Sequence, residues 1–159
     1  MRLIALLAMC SALAGSAVAQ PSGAVQWEVI AVAPQQVMFF DANPDRIDSS
    51  VERSIVFTFH VLKAPAKTPD GKTYTMYLQR TSYDCLKPQM TRVLAIGYTD
   101  TWEQVFMNEA AVGPLPYPPG SPTESISVMA CDHWNPTDFN TTFSDRSEAI
   151  AWAKAKLAE

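Results

Sequence analysis

From residue 25 onward the apolar positions recur every second residue, the period of a strand with buried faces, and clusters of Pro, Asp, Asn and Gly punctuate the runs. Residues 25–32 form a β-rich run carrying Trp27, ended by Ala33-Pro34-Gln35. Residues 37–40 (Val-Met-Phe-Phe) make a second run, closed by the turn signal Asp41-Ala42-Asn43-Pro44-Asp45. The strongest strand pattern spans residues 54–62. There Ile55, Phe57, Phe59 and Val61 alternate onto one face, and Val56, Thr58, His60 and Leu62 onto the other. Both faces are rich in apolar residues, so neither is expected to be fully wet; a C-terminal helix or a second copy of the chain would cover the second one. Residues 64–72, with two prolines and an Asp-Gly pair, predict a hairpin connection to a strand at 73–83. After Lys87-Pro88 a strand is expected at 91–99, and Asp100-Thr101 turns the chain into a short one at 102–107. No helical period separates these runs, so hairpins join them into a single twisted antiparallel sheet of about six strands.

The period changes after the Pro/Gly-rich stretch 110–122. Ser121 reads as an N-cap, Pro122 as the first helical residue and Glu124 as the return arm of a capping box. Ile126, Met129 and Ala130 fall on one stripe of this helix, which delivers Cys131 at its end. Asn135-Pro136 breaks the chain again. A second helix is expected from Asp145, with Asp145 and Glu148 at its start, an apolar stripe of Ile150, Ala153 and Leu157, and Lys154 and Lys156 in its C-terminal half. The expected fold class is therefore α+β, one sheet flanked by short helices, within a single domain over residues 25–159.

The first 19 residues belong to a different pattern. Met1-Arg2 precedes an apolar run over residues 3–13 and small residues ending Ala17-Val18-Ala19, the layout of a cleavable export signal. That run is short of the roughly 20 residues a membrane span needs. Cys10 raises the alternative of an acylated lipoprotein, but Met9 stands before it where a small residue is wanted, and the Ala-x-Ala site lies downstream. Cleavage after Ala19 leaves a flexible leader at residues 20–24 and two cysteines, Cys85 and Cys131. An even pair in an exported chain reads as a disulfide, and one closing 46 residues is worth roughly 4 kcal/mol. The spacing is not Cys-x-x-Cys and no zinc-type companion ligands flank either residue. Hydrophobic residues make up 48% of the sequence and charged ones 18%, which excludes a disordered chain, and a net charge of −4 without any Lys/Arg cluster argues against nucleic-acid binding.

With these features placed, the order of the anchors resembles a known family. Trp27 opens the first strand, Phe40-Asp41 ends the second, Tyr83-Asp84-Cys85 closes a central strand, and Pro119-Gly120-Ser121 leads through Glu124 to Cys131. This is similar to the bacterial surface-adhesin protein E-like family, whose members are exported domains with a twisted antiparallel sheet and a helix tied back by a disulfide. Trp27, Phe40, Asp41, Asp84, Pro119 and Gly120 are then scaffold positions of the pattern. Tyr117 is the nearest aromatic ahead of Pro-Gly-Ser, where the family usually carries Trp. The resemblance runs over about two-thirds of the chain and implies nothing for residues 132–159.

No nucleophile elbow, phosphate-binding loop or dinucleotide fingerprint is present. His60, mid-strand, reads as a packed histidine. His133, beside Asp132 and near Asp138, is the stronger metal or hydrolase candidate, yet it offers one imidazole where a metal site needs three or four converging ligands. Asn140-Thr141-Thr142 matches a glycosylation acceptor that a bacterial export signal makes incidental. Trp102, Tyr98, Phe106 and Tyr117 could line a recognition surface or fill a small core, the core being favoured. The expected function is a non-enzymatic, exported binding or interaction module without cofactor, in the periplasm or at the cell surface and adhesin-like by resemblance. Its partner would be a protein or envelope component, homo-oligomerisation is allowed, and neither nucleic acid nor a membrane span in the mature form is expected. A periplasmic housekeeping or stress-related role is the alternative, followed by a metal-binding protein or hydrolase built on Asp132 and His133.

Overall fold

A computed structural model describes residues 25–132 and 141–159. Strands β1 (Trp27–Ala33) and β2 (Gln36–Asp41) form a hairpin. A 3-10 turn at Pro44–Arg46 and the two-residue β3 (Asp48–Ser49) lead into the long β4 (Arg53–Lys67). Then follow β5 (Thr73–Asp84), β6 (Gln89–Tyr98), β7 (Gln104–Asn108), β8 (Val112–Pro116), helix α1 (Pro122–Asp132), β9 (Thr142–Phe143) and helix α2 (Arg146–Ala158). The main path runs β7-β6-β5-β4-β2-β1-β9, with β3 on β4 and β8 on β6, antiparallel at every pairing.

Among the described residues the sheet has nine strands, not the six or so that the alternation predicts. The three additions carry no alternation to read. Two of them, β3 and β9, are two residues long, and β8 is a Pro/Gly segment (Val-Gly-Pro-Leu-Pro) held as an edge strand against β6. Gly113 makes that edge possible: at φ +144° it adopts a backbone reserved for glycine, and a Cβ there would lie 2.7 Å from the Met90 carbonyl oxygen. The prolines at 65 and 69 also mislead. β4 continues through Pro65 because pairing with β5 breaks after Val61 and resumes at Ala66, so the proline sits in a bulge where no ladder N–H is required. The turn itself is confined to residues 68–72, closed by Thr68 N to Lys72 O at 2.9 Å with Gly71 at φ +82°.

Strand alternation then divides the core between two faces. Phe59 and Val61 of β4 point with Trp27, Val29, Val37, Phe39 and Met76 to one face, where Ala149, Ala153 and Leu157 of α2 bury them. Val56 points with Ile30, Phe40 and Tyr83 to the other, where Ile126, Met129 and Ala130 of α1 lie. Each face of β4 is thus covered over part of its length by a helix of the same chain. α2 presents Ala149, fully buried, while Ile150, expected in the stripe, is half-buried at its margin. Small alanines let the helix backbone lie close over the Phe39 and Phe59 rings. Cys85 and Cys131 are bonded, with Cα atoms 5.6 Å apart, which ties α1 to the β5–β6 turn.

Candidate interaction surface

The anchors singled out by the sequence divide into a scaffold group and an unplaced group. Trp27, Phe40 and Asp41 are each 1% exposed. Asp41 Oδ1 accepts from Gln26 N at 3.2 Å and Asn43 N at 3.4 Å, and Oδ2 pairs with Arg46 Nε. Asp84 is a turn acid, with Oδ1 accepting from Leu86 N at 2.9 Å and Lys87 N at 3.0 Å. Ser121 Oγ accepts from Glu124 N at 3.2 Å. The Glu124 carboxylate accepts from Gly120 N at 2.6 Å, one residue ahead of the cap where a standard capping box would return to the cap residue itself. Gly120, following Pro119, takes φ +74° to make this turn. Tyr117 packs edge-on to Tyr83 at 6.1 Å and donates to Ser127 Oγ at 2.8 Å. Asp132 ends α1 and is exposed; His133, Asp138 and Asn140 lie outside the described residues, as do the signal segment and leader. Among the described residues no group of three His, Cys, Asp or Glu side chains is placed to hold a metal ion.

His60 is buried and stacks on Tyr77, with ring centroids 4.1 Å apart and planes 11° from parallel. Its Nε2 is 3.0 Å from Thr58 Oγ1, and Nδ1 is buried without a hydrogen-bond partner among the described residues. Burial pushes its pKa down to about 3, so the ring is neutral at physiological pH. Burial also pushes the Tyr77 hydroxyl up to about 12. This pair is a packing unit rather than an acid–base couple.

The two helices cover diagonally opposed parts of the sheet. On the α2 face, the row bearing Ile55, Phe57, Arg80 and Ser82 lies beyond the helix and is half-exposed. Three arginines gather at its margin. Arg46 and Arg80 each place a guanidinium against the Phe57 ring, 5.8 and 5.7 Å from its centroid, and Arg146, the first residue of α2, lies 4.4 Å over Trp102. Trp102 stacks on Phe59 at 5.6 Å and meets Tyr98 at a 60° tilt, 5.2 Å between centroids. To reach them it holds φ +65°, a left-handed conformation costing about 1–2 kcal/mol for a bulky residue, which the buried ring contacts offset. Desolvation lowers the pKa of Arg146, with the charge of Arg46 acting in the same direction. Arg80 Nε is buried and has no hydrogen-bond partner among the described residues, an unmet donor that costs about 1–3 kcal/mol. Of this group the sequence pattern marked Ile55, Phe57 and Phe59 as one strand face and Trp102 and Tyr98 as recognition or core candidates, but none of the three arginines. The available signal was Arg80 itself, a charged residue at a position where the alternation of Met76 and Leu78 calls for an apolar one.

A separate open groove of about 530 Å³ follows the β5–β6 end, lined by Glu52, Arg53, Ser82, Asp84, Lys87 and Gln89 among others. Asp84 is already committed to its turn.

Residues 27–132 match the family model of surface-adhesin protein E. The chain belongs to the surface-adhesin protein E family. No curated protein and no solved structure matches it significantly. The family match ends at the last residue of α1, so α2 and β9, which complete one of the two cores, lie beyond it. Membership suggests a surface, adhesin-like role and an exported location, and no helix among the described residues is long and apolar enough to cross a membrane.

Proposed function

We propose that this chain is an exported, non-enzymatic binding module of the bacterial envelope, released from its signal segment after Ala19. Its partner is a protein or envelope component met through the sheet. The observation that carries this reading is the diagonal placement of the helices, which leaves part of a sheet face half-exposed and furnished with guanidinium and aromatic side chains. Such groups are the usual anchors of protein interfaces. The scaffold residues of the family pattern, from Trp27 and Asp41 to Glu124 and the disulfide, hold this surface rather than act on a ligand.

The test is intact mass, with and without reduction, on surface-shaved, periplasmic and medium fractions of the native cell. A species beginning at Gln20, two hydrogens lighter than its reduced form and removed by external protease, is expected. The same species confined to the periplasm would replace the outward-facing reading with a housekeeping role. A product retaining Cys10 with an added acyl mass would make it an anchored lipoprotein.

A further inference from the structure

The arginines of the α2 face are poorly matched by the carboxylates beside them. Asp41 is the acid paired with Arg46, and its other oxygen is taken by two backbone N–H groups. Asp145, next to Arg146, accepts through Oδ1 from the N–H groups of Ser147 and Glu148 at the start of α2, and it acts on Arg146 at longer range, as Asp41 does, without a direct ion pair. Neither Arg80 nor Arg146 has an ion-pair partner among the described residues, although both are partly withdrawn from water. In a chain of net charge −4 this local excess of positive charge is selective for its position. Each guanidinium also lies over a ring, Arg80 5.7 Å from the centroid of Phe57 and Arg146 4.4 Å from that of Trp102, contacts that favour a cation at these positions. Arg46 connects them: it shares the Phe57 ring with Arg80, and its charge reaches Arg146.

We propose that Arg80 and Arg146, backed by Phe57 and Trp102, form a docking site for an acidic segment of a partner protein. Planar forked donors suit carboxylates, which they engage through two parallel hydrogen bonds, and at Arg80 these come from the guanidinium end beyond the buried Nε. The half-exposed Ile55 and Phe57 give the segment an apolar floor beside the charges, so glutamate or aspartate alternating with an apolar residue fits best. The inference rests on the binding-module reading and names the chemistry of its partner.

The probe is a capped octapeptide alternating glutamate and leucine, titrated by calorimetry at low salt into the oxidised chain lacking residues 1–19, with the glutamine–leucine peptide as its neutral counterpart. Arg80→Gln and Arg146→Gln are each expected to weaken binding about tenfold, one charge-assisted hydrogen bond's worth. Arg80→Lys, which keeps the charge and loses the fork, should fall between wild type and Arg80→Gln, and Lys72→Gln, at the distant 68–72 turn, should bind as wild type. Near-ultraviolet circular dichroism checks that each variant is folded. Equal binding of the neutral peptide, or equal loss in Lys72→Gln, overturns the site. So does binding of a sulfated polysaccharide with the same arginine dependence and no binding of the peptide. If the protein is shaved from intact cells yet no peptide binds, the arginine site falls and the outward-facing reading stands. If the protein is periplasmic yet the peptide binds through both arginines, the site stands without that location.

Discussion

Replacing Cys85 with Ser isolates what the cross-link between the β5–β6 turn and α1 contributes. The bond closes a loop of 46 residues, and in the chain-entropy treatment that restricts the unfolded ensemble by about 4 kcal/mol, a large share of the 5–15 kcal/mol typical of a domain. The folded side is exposed to the same change. α1 has 11 residues, too few to be stable in water alone, so once uncoupled it depends on burial of Ile126, Met129 and Ala130 against Phe40, Val56 and Tyr83. Urea denaturation followed by tryptophan fluorescence would compare Cys85→Ser with oxidised and reduced wild type. With a slope of about 2 kcal/mol per molar, the midpoint should drop by roughly 2 M, and the variant should coincide with reduced wild type. Three equal midpoints would refute the argument outright. A variant much weaker than reduced wild type would show that the loss lies in packing around residue 85 and not in the cross-link.

Leu157→Ala should cost about 2–4 kcal/mol because Leu157 closes the core over Trp27, Phe39 and Phe59, and a melting temperature equal to wild type would separate α2 from that core. His60 makes stability pH-dependent in a defined direction. Its folded pKa lies near 3 against about 6.5 when unfolded, so the unfolded chain binds the extra proton between those values. Stability is therefore complete above pH 6.5 and falls by up to about 1.4 kcal/mol per unit as pH drops toward 3; His60→Gln should flatten that slope in denaturation series at pH 7, 6, 5 and 4, and an unchanged slope would assign it to other groups. Gly97→Ala would place a methyl group 2.1 Å from the Phe106 ring edge, so the ring must swing off the sheet at a cost of about 1–3 kcal/mol, visible as lost ring-current shifts on the β6 and β5 amides.

The two-residue period placed β1, β2, β4 and β5 nearly correctly, because those segments bury alternate side chains against a helix on one face or the other, whereas β7, set at 102–107 by the preceding turn, is an exposed edge strand at 104–108. The helix start at Ser121-Pro122 was equally legible, since capping depends on residues within four positions of one another. What could not be read has a physical cause in each case. β3 and β9 are too short for a period, and β8 is held by its edge pairing with β6 and by the room Gly113 leaves at the Met90 carbonyl. Pro65 resembles a terminator and is tolerated inside β4 only because a bulge removes the need for its N–H. The arginine surface is a long-range product. Arg46, Arg80 and Arg146 come from the turn after β2, from mid-β5 and from the start of α2, and only the sheet register and the fold-back of Trp102 bring them to one place.

The boundary of the family pattern and the boundary of the folding unit do not agree, and the difference bears on function. The pattern stops at residue 132, yet the sheet face carrying Trp27, the first anchor of that pattern, is buried by Ala149, Ala153 and Leu157, and β9 pairs with Trp27 and Glu28. A domain cut at residue 132 would therefore present Trp27, Phe39, Phe59 and Val61 to water on one face while keeping α1 on the other. The segment beyond the match also adds Arg146 to the charged surface and pins the β6–β7 turn, where Lys154 donates to Asp100 at 2.7 Å and that contact holds the Asp100 carboxyl below its usual range. The matched residues 27–132 hold β1 to β8, α1 and both cysteines of the disulfide. The C-terminal segment both completes a core and places Arg146 over Trp102, so removing it is expected to expose Trp27 and Phe39 and, with them, to abolish peptide binding at the proposed arginine site.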